Sequence, residues 1–220
     1  MKIVIVAATE KEIAPLIKHI KSLKTKPDIL ITGVGMVAVT FELTKLFSKN
    51  KYDLAINLGI CGSFNKAIGI GEVVNITEDI FSELGAEDGD GFVKLHDMKL
   101  ANKKDVFLVP EKKFSSPVLN ELKKVKGITV NTVHGNKKSI SKVIALYSPD
   151  VESMEGAAFF YVCNKFNMPC LQLRAVSNYV KKRNVKNWNI PLAVEKLNEV
   201  GIKVLKYFSR TGAKNAKKEK

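Results

Sequence analysis

The sequence predicts a single-domain α/β fold, in which helices cover both sides of a central, mixed and twisted sheet to give three layers. The first observation is the order of elements at the N-terminus, because the apolar, β-branched run from Lys2 to Ala7 is followed by helical spacing from Glu10 to Leu23. The second is the repetition of strand-then-helix order further along the chain. The third is the position of glycine, serine and asparagine directly after strand-like runs, where α/β sheets turn towards ligand sites.

Each later element is justified by the same two patterns. Short apolar, β-branched runs predict strands, and apolar residues three or four positions apart predict helices. The last helix shows the second pattern most fully, since Leu197, Val204 and Phe208 repeat on one face. The predicted order is strand 29–32, helix 37–48, strand 54–58, strands 73–76 and 106–109, helix 117–124, strand 127–132, helix 157–164 and helix 192–208.

Glycine-rich stretches separate several of these elements. Gly33 and Gly35 predict a tight turn, and residues 83–91 predict an acidic, glycine-rich loop. Gly59, Cys61 and Gly62 predict a turn whose small residues let backbone N–H groups approach a ligand. An ordinary glycine turn has the same composition, so this signal is weak by itself.

Length and charge limit the classes of protein to which this chain can belong. The chain has 220 residues and a formal net charge of +14, and we expect one domain over residues 1–210 with a basic, disordered tail over residues 211–220. The lysines are scattered without interleaved aromatic residues, so we expect a solvated surface and no nucleic-acid partner. No apolar stretch approaches the roughly 20 residues of a membrane span, and Met1 leads directly into a strand pattern, so we expect a cytoplasmic protein that does not bind membranes.

Cysteine and histidine spacing does not indicate a metal site. The three histidines are isolated from one another, without HxxxH or HExxH spacing, and we expect each of them to be structural or exposed. The cysteines are also scattered and lack CxxC spacing, so we expect buried, reduced thiols. These residues are His19, His96, His134, Cys61, Cys163 and Cys170.

Two segments in the last third of the chain carry the chemistry. Val151 to Ala158 has the pattern of a strand end that turns at Gly156 into a helix, and Leu171 to Val176 has the pattern of a strand that stops at Ser177 and Asn178. These segments bring a carboxylate, a cation and an amide to the ends of strands, where open α/β sheets bind small molecules. We therefore expect a small-ligand site.

These segments and three upstream stretches resemble the nucleoside phosphorylase and nucleosidase superfamily. The matching stretches are MKIVIVAATEKEI, ITGVGMV, INLGICGSF, MEG and RAVSN, in the family's order. Within the superfamily the sequence is most similar to the futalosine hydrolase family, because Asn178 is followed by YVKKRN and WNIPL. The resemblance implies hydrolysis of the N-glycosidic bond of futalosine, a purine nucleoside of menaquinone biosynthesis, to hypoxanthine and dehypoxanthine futalosine. It also implies a homo-oligomer that needs neither cofactor nor metal.

The resemblance implies a role for each candidate site residue. Glu12 is expected to activate water, Glu155 to accept hydrogen bonds from the ribose hydroxyls, and Asn178 to stabilise the leaving base. Arg174 is expected to hold Glu155 by a charge-assisted bond, because a buried arginine requires a partner. The other residues expected to contact substrate are Met154, Cys61, Gly62, Ser177 and Ile140.

Structural alternatives apply to most of these roles. Glu12 also suits the first turn of a helix, where the dipole favours acidic side chains. Arg174 and Glu155 also suit an ordinary structural ion pair. Ser177 and Asn178 also suit the cap of the segment that follows them.

Asn178 distinguishes two classes of substrate. Hypoxanthine that leaves protonated at N7 presents an N7–H donor beside the O6 acceptor, and an amide matches both with its carbonyl oxygen and its NH2 group. A 6-aminopurine presents donors at both places, which suits the Asp that the sister methylthioadenosine/S-adenosylhomocysteine nucleosidases carry. A buried mismatch costs about 1 to 3 kcal/mol, so we expect a 6-oxopurine substrate.

The sequence leaves other functions and contacts open. One alternative is a nucleosidase that releases adenine from methylthioadenosine, S-adenosylhomocysteine or aminofutalosine, and another is a non-catalytic nucleoside-binding protein. A purine nucleoside phosphorylase is disfavoured, because Lys11 is the only basic residue in the region where phosphorylases bind phosphate. The aromatic residue that stacks on the base is open among Phe81, Phe159 and Phe160. Residues 181–183 (KKR) are candidate partners for the carboxylated tail of futalosine.

Overall fold

The structure is a computed structural model that describes residues 1–112 and 114–211. The strands are Ile3–Ala7 (β1), Asp28–Ile31 (β2), Leu54–Ser63 (β3), Val73–Phe81 (β4), Gly85–Asp88 (β5), Gly91–Lys94 (β6), Phe107–Leu108 (β7), Lys124–Thr129 (β8), Val151–Ser153 (β9) and Cys170–Tyr179 (β10). The α-helices are Glu10–Lys21 (α1), Met36–Phe47 (α2), Pro117–Glu121 (α3), Lys137–Tyr147 (α4), Gly156–Lys165 (α5) and Ile190–Thr211 (α6).

Eight strands form one mixed sheet, whose order is β10-β4-β8-β9-β3-β1-β2, with β7 beside β4. The strand β10 also pairs in parallel with β3, so the pairings of β3, β10, β4, β8 and β9 close a ring. The remaining strands, β5 and β6, form a separate antiparallel pair. The ring brings the carboxyl ends of the two ten-residue strands, β3 and β10, side by side.

Apolar clusters on opposite sides of this sheet give the three layers. On one side Phe159 and Phe160 of α5 pack with Leu43 of α2. On the other side Leu16 of α1 packs with Leu197 of α6. These side chains are almost completely buried, and burial of each such residue contributes roughly 1.5 to 3 kcal/mol. The predicted three-layer α/β fold with a mixed sheet is confirmed.

The prediction of a turn at Gly59 to Gly62 is wrong, because both residues lie inside β3. The glycines are needed there for close packing across the sheet. A Cβ on Gly59 would lie 2.9 Å from Nη1 of Arg174, and a Cβ on Gly62 would lie 3.0 Å from the side chain of Val180. Small residues at these positions therefore let β10 and its side chains approach β3.

The strand β10 also differs from its prediction, because it continues through Ser177 and Asn178 to Tyr179. Its register against β3 shifts between Val176 and Asn178, so that Asn178 pairs with Gly62. This irregularity is typical of a β-bulge, which turns side chains towards a site. Ser177 and Asn178 are thus part of the sheet edge rather than the cap of a following helix.

Two other elements were not expected. Residues 83–91 include β5 and the start of β6 rather than an unstructured loop. Helix α4 was missed because its exposed face is rich in lysine and serine, although Val143 and Tyr147 bury its other face. The side chain of Asn136 caps this helix by accepting a hydrogen bond from the N–H of Lys138.

The described helices include none that is both long and apolar enough to cross a membrane. The expected disordered tail, residues 211–220, lies almost entirely outside the described residues.

Candidate active site

A cavity of about 760 Å³ lies at the carboxyl ends of β3 and β10. This volume falls in the range of small-molecule sites, and the position is where open α/β sheets bind ligands. Seven of the nine predicted site residues line this cavity, and they come from four separate parts of the chain. These residues are Glu12, Cys61, Gly62, Met154, Glu155, Ser177 and Asn178.

Glu12 is held at the cavity by three hydrogen-bond donors. Its Oε2 accepts from the N–H of Thr9 at 3.0 Å and from Oγ1 of Thr9 at 2.9 Å, and its Oε1 accepts from the N–H of Ile60 at 3.2 Å. The contacts with Thr9 are those of a helix capping box. Glu12 therefore makes the helix first-turn contacts of the structural alternative, and the same contacts hold its carboxylate on the cavity wall.

A break in α1 also contributes to the position of Glu12. Pro15 lies inside this helix and Ile13 has non-helical backbone angles. The buried side chain of Asn198 is inserted at the break, where its Nδ2 donates to the carbonyl of Glu12 at 2.8 Å and its Oδ1 accepts from the N–H of Leu16 at 2.9 Å. Asn198 thus replaces the helical bond between these two residues and ties the backbone of Glu12 to α6.

Glu155 lines the same cavity from the N-cap of α5. Its Oε1 accepts from the N–H of Gly35 at 2.9 Å, and its Oε2 accepts from the N–H of Met154 at 3.3 Å. Burial raises the pKa of the Glu155 carboxyl above its usual value, and the charge of Glu12 adds to that shift, while the charge of Arg174 and the two N–H donors oppose it.

Arg174 does not make the predicted bond to Glu155. Its Nη1 donates to the carbonyl of Leu173 at 3.4 Å, and its Nε and Nη2 have no hydrogen-bond partner in the described part of the chain. The guanidinium is buried behind Gly59, and a Cβ there would lie 2.9 Å from Nη1 of Arg174 and 3.2 Å from Oε1 of Glu12. The cation therefore acts on Glu155 through its charge, from behind the cavity wall.

A buried polar network supports the start of α5. Oγ1 of Thr129 accepts from the N–H of Ala157 at 2.7 Å and donates to Oδ1 of Asp79 at 2.8 Å, while Oδ2 of Asp79 accepts from Nε2 of Gln172 at 3.1 Å. Gly156 fits against this network only because it has no side chain, since a Cβ there would overlap both Asp79 and Gln172. The network anchors the helix that carries Glu155.

Asn178 presents its amide between two neighbours. Its Oδ1 accepts from Oγ of Ser177 at 2.8 Å, and its Nδ2 donates to the carbonyl of Tyr179 at 3.3 Å. These contacts fix which end of the amide carries oxygen. They also leave one lone pair on Oδ1 and one N–H on Nδ2 for a ligand.

Ile140 is the other predicted site residue that does not line the cavity. It lies on α4, and the residues that reach the cavity from this part of the chain are Val133 and His134, which precede the helix. The three phenylalanines proposed to stack on the base are also absent from the wall, because Phe159 and Phe160 belong to the core and Phe81 packs on its edge. The aromatic residues that line the cavity are instead Tyr179 and Trp188.

His134, which was expected to be structural or exposed, is largely buried and paired with a carboxylate. Its Nδ1 lies 2.6 Å from Oε2 of Glu152, and its N–H donates to Oε1 of the same carboxylate at 3.1 Å. Both side chains line the cavity and are largely buried. No spacing pattern in the sequence indicates this pair, because 17 residues and a helix separate its members.

Four cationic side chains surround the open end of the cavity. Lys11 contributes from α1, and Lys181, Lys182 and Arg183 follow β10. The guanidinium of Arg183 lies 5.1 Å from the ring centroid of Trp188, which is a cation–π contact. This end of the cavity therefore favours an anionic group.

The part of the chain that the structure describes contains neither a reactive thiol at the cavity nor a metal-binding cluster. Burial raises the pKa of the Cys61 thiol to about 12, so this thiol is uncharged and poorly nucleophilic at neutral pH. All three cysteines are buried and free, as expected. The described residues contain no group of three His, Cys, Asp or Glu side chains that could hold a metal ion.

Two carboxylates, an amide and a basic mouth at the carboxyl ends of parallel strands define a small-ligand site of an α/β enzyme. The family is shown by sequence comparison, because a model of the phosphorylase superfamily matches residues 2–209. The chain belongs to this superfamily, and the resemblance seen in the sequence is confirmed.

Individual relatives include nucleosidases of two kinds. The futalosine hydrolase of Acidothermus cellulolyticus is 31% identical over 182 residues, which cover 77% of this chain and 71% of that protein. The 5'-methylthioadenosine/S-adenosylhomocysteine nucleosidase of Shewanella denitrificans is 29% identical over 203 residues, which cover 81% of this chain and 86% of that protein. A futalosine hydrolase structure from Helicobacter pylori has a TM-score of 0.76 and 17% identity, and the match covers 94% of this chain and 98% of that chain.

Proposed function

We propose that this protein is a nucleosidase that hydrolyses the N-glycosidic bond of futalosine and releases hypoxanthine and dehypoxanthine futalosine, in menaquinone biosynthesis. The observation that carries the proposal is the meeting of the Asn178 amide with the carboxylates of Glu12 and Glu155 at one cavity. Similarity to futalosine hydrolases supports the substrate. Fold alone would not, because one fold hosts many activities.

The proposed reaction uses water as the nucleophile. Glu12 accepts a proton from a water whose oxygen attacks the anomeric carbon, and the bond from that carbon to N9 breaks with its electrons passing to the base. The proton that N7 of the leaving base carries comes from solvent. Glu155 accepts hydrogen bonds from the ribose hydroxyls, and its charge stabilises the oxocarbenium character of the sugar. Arg174 compensates the charge of Glu155 from behind the wall, and Met154 lies against the sugar.

Asn178 stabilises the leaving base in this scheme. Its free Oδ1 lone pair accepts from N7–H, and its free N–H donates to O6. The hydrogen bond to the Tyr179 carbonyl, which can only accept, keeps the NH2 group at that end of the amide and so leaves the oxygen on the N7 side. The hypoxanthine edge therefore matches Asn178 without rotation of the amide.

The basic mouth supports the choice of futalosine, whose sugar carries a carboxylated aryl tail. Lys181, Lys182 and Arg183 supply cations, and Tyr179 and Trp188 supply apolar ring surface at the same cavity. A carboxylate and an aryl group together suit this combination. Substrates without an anionic tail would leave the cations unused.

The test is base release by the purified protein from futalosine, aminofutalosine, methylthioadenosine and inosine, each with and without phosphate, followed by chromatography. We expect hypoxanthine from futalosine at a rate that phosphate does not change. Adenine as the main product would assign the protein to the second candidate function, an adenine-releasing nucleosidase, which the similarity to the Shewanella enzyme favours. Turnover that requires phosphate would refute hydrolysis, and no turnover of any substrate would favour a nucleoside-binding protein.

We also propose that the protein acts in the cytoplasm as a homo-oligomer. Val34, Val37 and Phe41 are 56%, 82% and 63% exposed and form an apolar surface at the start of α2, and such surfaces are typical of interfaces. Val34 also lines the cavity, so a second copy on this surface would help to close the site. Light scattering should give an assembly larger than a monomer for the wild type and a monomer for Phe41→Lys, and a monomeric wild type would refute the proposal.

A further inference from the structure

The His134 and Glu152 pair has no role in the reaction described above, although it lies in the same cavity. Glu152 is 3% exposed and His134 is 13% exposed, so neither is an ordinary surface group. A buried carboxylate is costly unless it is paired, and both oxygens of Glu152 are used by His134 alone. One oxygen lies 2.6 Å from the ring Nδ1, and the other accepts the backbone N–H at 3.1 Å.

This geometry fixes the tautomer of the neutral imidazole. An ionised carboxylate is an acceptor only, so the Nδ1 that faces it must carry the hydrogen. In the neutral ring Nε2 then has a lone pair and no hydrogen. The hydrogen bonds of this ring among residues 1–112 and 114–211 are made through Nδ1, and His134 lines the cavity. The ring is also held from the side by Phe64, whose centroid lies 6.1 Å from that of His134.

The pair lies beside the amide that recognises the base. A Cβ on Gly62 would lie 3.3 Å from Nδ2 of Asn178 and 3.5 Å from Cγ of Glu152, so these two side chains flank one point on β3. The edge of a purine that reaches Asn178 with N7 and O6 continues to N1. In a 6-oxopurine N1 is a donor, and in a 6-aminopurine it is an acceptor.

We propose that neutral His134, with its tautomer fixed by Glu152, accepts a hydrogen bond from N1–H of the base and so makes the site selective for 6-oxopurines. The proposal deepens the proposed function and rests on it for the class of substrate. A 6-aminopurine would bring its N1 lone pair against the lone pair of Nε2. Asn178 and His134 then select the same base at two different atoms.

Glu152→Gln is the sharpest test, because the structure determines which way the new amide must point. Its oxygen must stay at the backbone N–H of His134, so its NH2 group must face Nδ1. Nδ1 then becomes the acceptor, the ring hydrogen moves to Nε2, and the N1 site changes from acceptor to donor. Unlike the loss of a structural pair, this change should reverse the preference between bases.

The first measurement is calorimetric binding of hypoxanthine and adenine to wild type and Glu152→Gln. We expect the ratio of the two dissociation constants to shift towards adenine by roughly 10- to 100-fold, the effect of one mismatched buried polar group. Glu72→Gln, which makes the same chemical change at a carboxylate that contacts Gly69 and Lys123 and does not line the cavity, is the matched control and should leave the ratio unchanged. An unchanged ratio in a folded Glu152→Gln protein would overturn the proposal.

The second measurement needs no folded variant at position 152. The chain has three histidines, so nitrogen NMR of the wild type, with His134→Gln used for assignment, reports the tautomer directly. We expect hydrogen on Nδ1 and a shift of the Nε2 resonance when hypoxanthine binds. Hydrogen on Nε2, or an Nε2 resonance that hypoxanthine does not move, would refute the role of His134. Because both measurements use free bases, they stand apart from the turnover assay that tests the proposed hydrolysis.

Discussion

Asp79 makes the stability of this protein depend on pH, and Asp79→Asn should remove that dependence. The carboxyl is 1% exposed and accepts hydrogen bonds from Thr129 and Gln172. Burial raises its pKa from 3.8 to about 6, although these hydrogen bonds and the charge of Arg174 oppose the shift. The ionised form of Asp79 is therefore less stable in the folded protein than in the unfolded chain.

The sign and size of the effect follow from these two pKa values. Between about pH 4 and pH 6 the folded protein binds more protons than the unfolded chain, so the free energy of unfolding decreases as the pH rises through this range. A shift of about two units corresponds to about 3 kcal/mol. In Asp79→Asn this loss is absent, because an amide does not ionise.

The fold should tolerate the substitution. Oε1 of Gln172 has no partner in the described residues, and rotation of its amide would let this oxygen accept from the new NH2 group. The hydroxyl of Thr129 can still donate to Oδ1 of the asparagine at position 79. Above pH 6 the variant should therefore be more stable than the wild type, by at most about 3 kcal/mol.

Urea unfolding at half-unit steps from pH 4 to pH 8 measures the effect. The wild type should lose stability between pH 4 and pH 6 relative to Asp79→Asn, and the difference should be constant above about pH 7. Asp88→Asn, the same change on the exposed strand β5, should follow the wild type at every pH. Parallel curves for wild type and Asp79→Asn would refute the argument.

Three further predictions concern the site. Glu12→Gln removes the general base and keeps the cavity, so it should reduce the rate of base release by at least about 100-fold while calorimetry still detects hypoxanthine binding. Turnover near the wild-type rate would exclude the role of Glu12 as general base. Asn178→Asp replaces the NH2 group, which now donates to the Tyr179 carbonyl, by a second acceptor oxygen. Because two acceptors suit the two donors of a 6-aminopurine, the ratio of adenine release to hypoxanthine release, measured by chromatography, should rise by about tenfold or more. An unchanged ratio would contradict the role of Asn178. Gly156→Ala should lower the free energy of unfolding by more than about 2 kcal/mol in urea, since its Cβ has no space. Gly69→Ala, whose Cβ would lie 3.7 Å from its nearest contact, is the control and should change little.

The sequence was sufficient for the order of the main elements, because each has its own pattern. The run from Lys2 to Ala7 and the spacing of α6 depend on local residues, and both elements appear where expected. Helix α4 was missed because apolar residues such as Val143 are sparse in a lysine- and serine-rich stretch. The extension of β3 through Gly59 and Gly62 could not be predicted, since only close packing against β10 explains glycine inside that strand.

The candidate site shows the same division between local and distant signals. Glu12, Glu155 and Asn178 could be proposed from motifs, and the structure brings them to one cavity. The contribution of Asn198 to the position of Glu12 depends on contact between two helices, the two residues are 186 positions apart in the chain, and no local pattern indicates it. The partner of Arg174 was predicted wrongly for a related reason, because hydrogen-bond geometry inside a closed ring of strands is set by the sheet register.

Selectivity for a base should therefore be sought in how side chains are held as well as in which side chains are present. The carbonyl of Tyr179 orients the amide of Asn178, and Glu152 orients the imidazole of His134. A carbonyl and an ionised carboxylate can only accept, so each decides which atom of its neighbour faces the ligand. Exchanging an orienting residue should change substrate preference without removing any group that contacts the base. That result would separate this account from one in which Asn178 alone selects the substrate.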